Sequence, residues 1–347
     1  MQYIANPYRG TRDFPAGAPA PSVAAGKVSD LLQHCPAHAA TALHDCAALA
    51  DAAGVATLHV KDERERMGLG SFKALGAAYV IANDAQAAGG ATGQALAGRT
   101  YITASAGNHG LSVAAGAAVF GAKAVVHIAE TVPESFAARL AEKGATVVRG
   151  GADYAESMTA AMASAEANGW TLLSDTSWGD YLETPHRLME GYVQLGAETV
   201  AQIPQAPTHI FLQAGVGGMA GAIAAYARDA WGDTPVICVV EPVFAPAIIE
   251  SIKAGRILYS DGPVSEMGRL DCKEPSAIAM AGLAHDADFF VTLTESDVLD
   301  QLPAFAANGL ETSASGGAGL AAAMLAAGAF GMSGDSRVLC ILSEGPA

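Results

Sequence analysis

Apolar residues in this chain follow two rhythms that alternate from about residue 56 to the end. Short runs rich in β-branched residues recur as ATLHV, TYITA, AKAVVHI, ATVVRG, THIFLQAG, PVICVVEP and RVLCIL. Each is apolar at successive positions instead of alternate ones, so each predicts a strand covered on both faces. Between them lie Ala-rich stretches with helical spacing, from Phe72, after Gly110, from Pro133 and through the region of Tyr154. Strand and helix in alternation predict an α/β fold with mostly parallel sheets flanked by helices. Small residues near Ala88 to Gly98 and again near Thr171 to Trp178 mark two boundaries. They divide the chain into a large domain of residues 1–88 and 176–347 and an inserted small domain of 89–175, each with its own sheet.

Composition narrows the class. With 347 residues, 51% of them hydrophobic, the chain can bury a substantial core. A formal net charge of -16 repels phosphate backbones and anionic headgroups, so no nucleic acid or membrane partner is expected. No segment carries about 20 consecutive strong hydrophobes, and MQYIANPYRGTRDF lacks the apolar core of a signal peptide. Cys35, Cys46, Cys238, Cys272 and Cys340 are scattered, without CxxC or a metal-ligand rhythm. These features predict a cytoplasmic protein with reduced thiols and no metal site.

Four segments look chemical. In GLGSFKALGAAYV, Lys73 opens an apolar helix, where desolvation and a helix N-terminus would both lower its pKa and free the amine to form a Schiff base. A solvated first-turn lysine would satisfy the same spacing. In TASAGNHG, the backbone of Ser105, Ala106, Gly107 and His109 can converge on a substrate carboxylate, and the Asn108 amide can meet a phenolic oxygen. In QAGVGGMAG, residues Gly215, Val216, Gly217, Gly218 and Met219 run into a helix and suit a phosphate. That stretch also satisfies the dinucleotide fingerprint, with Glu241 ending the next strand, so a nicotinamide-dependent oxidoreductase is the rival reading. The fourth segment, RVLCILSEG, places Ser343 at the end of a buried strand, where a hydroxyl often does no more than cap a turn.

The order Ser-Phe-Lys, Ser-Ala-Gly-Asn-His-Gly, glycine loop and terminal Ser-Glu-Gly resembles the fold-type-II, tryptophan-synthase-β-like pyridoxal-phosphate enzymes. A dinucleotide enzyme has no use for the first two. The resemblance implies pyridoxal 5'-phosphate as cofactor, with Lys73 its Schiff-base lysine and Asn108 the partner of its ring hydroxyl. Residues 215–219 would hold the phosphate, and Ser343 would face the pyridine nitrogen. SDTSWGDY, QAGVGGMAG and CKEPS further resemble the diaminopropionate ammonia-lyases, which implies an acid/base role for Asp175. The implied reaction is α,β-elimination of ammonia from 2,3-diaminopropionate or a similar small amino acid. The alternative is a serine/threonine dehydratase or 3-hydroxyaspartate ammonia-lyase with the same machinery. A silent binding protein on the same fold would not need Lys73. Two positions depart from the pattern: Ala106 stands where those lyases carry an aspartate, and Arg269 where they carry a small residue. A buried arginine must meet an anion, so Arg269 is expected to pair with Asp271 or Glu266, or to bind a substrate carboxylate. A homodimer is expected.

Overall fold

The strands in chain order are β1 (Gln2–Ala5), β2 (Leu43–Asp45), β3 (Thr57–Asp62), β4 (Thr100–Ala104), β5 (Lys123–Ile128), β6 (Ala145–Arg149), β7 (Thr171–Leu172), β8 (His209–Gln213), β9 (Val236–Pro242), β10 (Phe289–Leu293) and β11 (Arg337–Leu342). They come from a computed structural model that describes residues 1–14, 16–90 and 93–346. Each apolar run of the sequence lies within or across one of them. β4 and β8 are buried at every position, which is why neither shows a polar alternation. The strands form one sheet in the order β1-β10-β9-β8-β11-β3-β2 and a second in the order β6-β5-β4-β7. All pairings are parallel except β1 with β10 and β2 with β3, at the two edges of the larger sheet. These short edge strands, and β10, were not anticipated.

The larger sheet has helices on both faces. Lys73–Ala87, Glu183–Gln202, Gly218–Trp231 and Ala277–Asp286 pack in a row, and Ala314–Leu325 lies against β8 and β11. Buried side chains accordingly gather in two large clusters, one containing Leu75, Leu188 and Ile210, the other Leu58, Phe211 and Leu320. The strands of the smaller sheet fall between Thr100 and Leu172; residues 91 and 92 of the first expected boundary lie outside the described residues.

One helix begins earlier than expected. It runs Asn108–Val119 and so includes Gly110, where a Cβ would collide with the Ser105 carbonyl oxygen. Glycine therefore fits inside the first turn, although the helix had been expected to begin only after it. At the end of β9, both carboxyl oxygens of Glu241 accept from backbone N–H groups, of Ile248 and Ile249, each at 2.8 Å. Burial pushes this carboxyl up to about 8. It is occupied as a helix cap, so the acid that a dinucleotide would require is already taken. All five cysteines are free thiols. Among the described residues no helix is long and apolar enough to cross a membrane, and no cluster of His, Cys, Asp or Glu could hold a metal.

Candidate active site

Parallel strands bring their carboxyl ends to one edge, and ligand sites form there. The residues just beyond β4, β8 and β11 line one cavity of about 820 Å³, together with residues from the 175–178 and 268–275 segments. Lys73 and Ser343 are far apart in sequence but meet because the chain beyond β11 is stitched to the turn before Lys73. Ser71 and Glu344 form an antiparallel bridge, Phe72 N–H donates to the Ser343 carbonyl at 3.1 Å, and Gly345 N–H donates to the Gly70 carbonyl at 3.1 Å. Gly70 makes this turn with φ +81°, a conformation that favours glycine. Lys73 is then the first residue of its helix, and its amine lies 5.3 Å from the centre of the Phe72 ring.

The Lys73 amine forms an ion pair with Asp175 Oδ2. Asp175 is held by the SDTSWGDY segment around it. The Tyr181 hydroxyl accepts from Ser174 N–H at 3.1 Å and donates to the Leu172 carbonyl at 2.9 Å, while Tyr181 stacks on Trp178 with ring centres 4.7 Å apart. Ser177 Oγ accepts from Ile278 N–H at 2.9 Å, tying the segment to the start of helix Ala277–Asp286. Burial is the largest influence on both partners. It draws the Lys73 amine down, but the charge and hydrogen bond of Asp175, with Tyr192 and Cys272 nearby, carry it above its ordinary value. For Asp175 burial raises the carboxyl, and the charges of Lys73 and His109 then take it well below the usual range. The lowered lysine pKa expected from the sequence is thus reversed here, because an opposite charge in direct contact outweighs desolvation.

Two helix N-termini face the cavity. At the first, Gly107 N–H donates to Ser105 Oγ at 3.3 Å, and the N–H groups of Asn108, His109 and Gly110 have no acceptor among the described residues. His109 Nε2 lies 2.8 Å from the Leu173 carbonyl oxygen, which fixes the proton on that nitrogen; Nδ1 is buried without a partner among the described residues. Burial lowers the imidazole pKa, against the opposing pull of the Asp175 charge. Ala106 lines the cavity but brings no polar side chain. At the second N-terminus, Gly217 has φ +93° and leads into helix Gly218–Trp231, whose first N–H groups, of Gly218, Met219 and Ala220, also lack acceptors among the described residues. A Cβ on Gly215 would lie 2.8 Å from Cys272 Sγ, so the loop approaches the 268–272 segment only as glycine. Val216 belongs to the same wall.

Gln213, the last residue of β8, organises the floor. Its Nε2 donates to the carbonyls of Gly316 at 2.7 Å and Ile341 at 2.9 Å and reaches Ser343 Oγ at 3.1 Å. Because Ser343 accepts from Gln213, its own O–H is left to donate into the cavity, and it has no acceptor among the described residues. Asn108 Nδ2 donates to Glu344 Oε2 at 2.5 Å, and Ser313 Oγ donates to Oε1. Arg269 also turns to Glu344, with Nε 3.0 Å from Oε2. Neither partner expected for it is the one found: Asp271 pairs with Lys273 at 2.6 Å, and no ion pair of Glu266 is found among the described residues. Pairing with Glu344 spans 75 positions, beyond the neighbouring acids Asp271 and Glu266.

The pyridoxal-phosphate dependent enzyme family matches residues 35–344. The chain belongs to this family. Its cofactor is pyridoxal phosphate. Diaminopropionate ammonia-lyase of Salmonella typhimurium is 32% identical over 279 residues, covering 74% of this chain and 69% of that enzyme. The Escherichia coli (strain K12) enzyme of the same name is 32% identical over 72% of this chain and 66% of its own length, so the chain spans about two thirds of these relatives. A crystal structure of the Escherichia coli enzyme in complex with D-serine superposes with a TM-score of 0.88 at 26% identity, covering 99% of this chain and 93% of that one.

The donors fit this family's cofactor. The open N–H groups at residues 218–220 suit its phosphate, the Ser343 hydroxyl suits a ring nitrogen that accepts, and the Lys73 amine stands in the same cavity. In Gly217→Ala the new Cβ would meet Ala279 Cβ at 3.0 Å in a left-handed backbone. The loop can relieve that strain, about 1–2 kcal/mol, only by moving its N–H groups out of convergence. We expect about tenfold weaker cofactor affinity, measured by titrating the visible band; unchanged affinity would show that the loop does not hold the phosphate. Three residues of this pyridoxal-phosphate enzyme's cavity region escaped the sequence reading. Gln213 was legible as a polar residue ending a buried strand. Tyr192 resembles any core aromatic, yet its buried hydroxyl has no hydrogen-bond partner within bonding geometry among the described residues, lies near Lys73, and its ring centre lies 4.9 Å from that of Phe72. Cys272, whose thiol burial pushes up to about 12, stood out only as the first residue of CKEPS and had no site role assigned to it.

Proposed function

We propose that this chain is an ammonia-lyase that removes the β-amino group of 2,3-diaminopropionate, or of a similar small amino acid, to give pyruvate and ammonia. The observation that carries the reading is the direct pairing of Lys73 with Asp175 in a cavity that also presents two open helix N-termini. Both named relatives act in the same sense.

Bound pyridoxal phosphate supplies an electron sink that makes the Cα proton of an amino acid removable. The N–H groups at residues 108–110 bind the substrate carboxylate and, with Ser105 and Gly107, orient Cα toward Lys73. Asn108 and Ser343 hold the ring, and residues 215–219 hold the phosphate. Lys73 and Asp175 then work as a pair sharing one proton. Burial raises the Asp175 carboxyl and the Lys73 charge lowers it, so a neutral lysine leaves Asp175 better able to hold the proton. When Lys73 Nζ takes the Cα proton it becomes charged, which lowers the Asp175 pKa and drives that proton onto the departing amine. A neutral hydroxyl at Ser343 leaves the ring nitrogen largely unprotonated and the sink weak, which favours prompt elimination over transamination. Hydrolysis of the released three-carbon product gives the keto acid.

In this reading residues 89–175 form the smaller domain, 1–88 with 176–347 the larger one, and the enzyme works as a cytoplasmic homodimer. The test is release of keto acid from a panel of β-substituted amino acids in both configurations. Because Ala106 offers no base for the second face of Cα, L-isomers should turn over at least tenfold faster than D-isomers. Equal rates would assign that face to Asp175, and no keto acid from any member would reject the reaction.

A further inference from the structure

We propose that Arg269 recognises a second carboxylate on the substrate, so that the site favours dicarboxylic amino acids with a leaving group at Cβ, the class of 3-hydroxyaspartate. The proposal rests on the elimination reading above: it keeps the Lys73 and Asp175 chemistry and extends the leaving group from an amine to a hydroxyl. Three cations line the cavity. Lys73 is bound to Asp175. Lys273 is fully engaged, with Asp271 at 2.6 Å and the carbonyls of Phe244 at 2.8 Å and Pro263 at 2.9 Å. Arg269 differs. Its Nε stands 3.0 Å from Glu344 Oε2 without the alignment of a hydrogen bond, and its two Nη groups have no acceptor among the described residues. Asn108 and Ser313 already donate to Glu344, one to each of its oxygens.

The backbone of Arg269 is fixed while the fork of its side chain stays open. Its N–H donates to Ser315 Oγ at 3.0 Å, and its carbonyl oxygen would stand 3.1 Å from a Cβ on Gly215, so it lies against the glycine loop. Through Glu344 the guanidinium is also joined to Asn108, at the start of the other anion-binding turn. Its side chain is 30% exposed. With the cofactor phosphate at one N-terminus and the substrate α-carboxylate at the other, this open fork is a third place for an anion. A planar guanidinium matches a carboxylate through two parallel hydrogen bonds, worth about ten- to hundredfold in affinity. For 3-hydroxyaspartate the Cα–H and Cβ–O bonds break, Lys73 takes the proton, and the hydroxyl leaves as water with the proton from Asp175. Addition of water and loss of ammonia then give oxaloacetate.

The experiment compares 3-hydroxyaspartate with serine, which has the same leaving group and lacks only the second carboxylate, in wild type, Arg269→Gln and Arg269→Lys holoenzyme. Binding of malate and of lactate, which have no amine, is measured alongside by calorimetry. We expect kcat/KM in wild type to favour 3-hydroxyaspartate at least tenfold, the preference to fall to within threefold in Arg269→Gln, and malate to bind wild type at least tenfold more tightly than lactate. A preference that survives the substitution overturns the proposal. So does equal loss on both substrates, which would leave Arg269 only as a support for Glu344. Equal binding of malate and lactate to wild type overturns it whether or not the variants fold. If wild type releases no keto acid from any amino acid, the elimination reading fails, and the malate comparison still decides the role of Arg269.

Discussion

Replacing Lys73 by alanine lowers keto acid release by at least about a thousandfold while the fold and the phosphate loop persist. The size follows from the double role of the amine, as covalent anchor and as base, since general acid–base assistance alone accounts for about two to four decades. The fold should survive because Lys73 opens its helix at the cavity wall, and the helix is held by Leu75, Tyr79 and Ile81 in the core. Circular dichroism and the melting temperature check that part. Borohydride should no longer fix the cofactor to the protein, although phosphate-dependent binding remains. Retention of a tenth of wild-type activity would refute the assignment.

In Asp175→Asn the expected loss depends on the leaving group. With 2,3-diaminopropionate, whose amine must leave protonated, kcat falls by about 100- to 10,000-fold. With β-chloroalanine, whose chloride needs no proton, it falls less than tenfold. Equal losses on the two substrates would make Asp175 a holder of Lys73 and remove it as the acid. The same pair sets a pH signature in the cofactor-free protein. Asp175 lies below its ordinary value of 3.8, so its contribution to stability is present above that pH and is lost as pH falls through the lowered value. Lys73 lies above its ordinary value of 10.5, so its contribution is complete below that pH and is lost as pH rises through the raised value. The gap in melting temperature between wild type and Asp175→Asn should therefore be widest between about pH 4 and 10 and should close in strong acid. A gap that does not vary with pH would mean that the ion pair adds nothing to stability.

Much of this was legible before the fold was seen, and the reason is local. A buried parallel strand must be apolar throughout, so TYITA and THIFLQAG announce themselves. A turn that presents bare amides needs glycine, so SAGNHG and QAGVGGMAG stand out as well. What was missed depends on partners distant in the chain. β1 and β2 have 4 and 3 residues at sheet edges, too short for any periodicity to show. The salt bridge between Lys73 and Asp175 joins positions 102 apart, and it reversed the expected direction of the lysine pKa. Arg269 was expected to meet an anion, but its partner proved to be Glu344, brought close by the bridge between the chain beyond β11 and Ser71. No local pattern carries that information. The buried hydroxyl of Tyr192 is likewise visible only once helix Glu183–Gln202 has packed beside Phe72.

The central claim is that this pyridoxal-phosphate enzyme eliminates the β-amino group. It is tested most directly by incubating the holoenzyme with 2,3-diaminopropionate and measuring pyruvate and ammonia together. Elimination followed by hydrolysis consumes one water and releases both nitrogens, so the account predicts two ammonia for each pyruvate. One ammonia per keto acid, or loss of the amino acid without pyruvate, would contradict it.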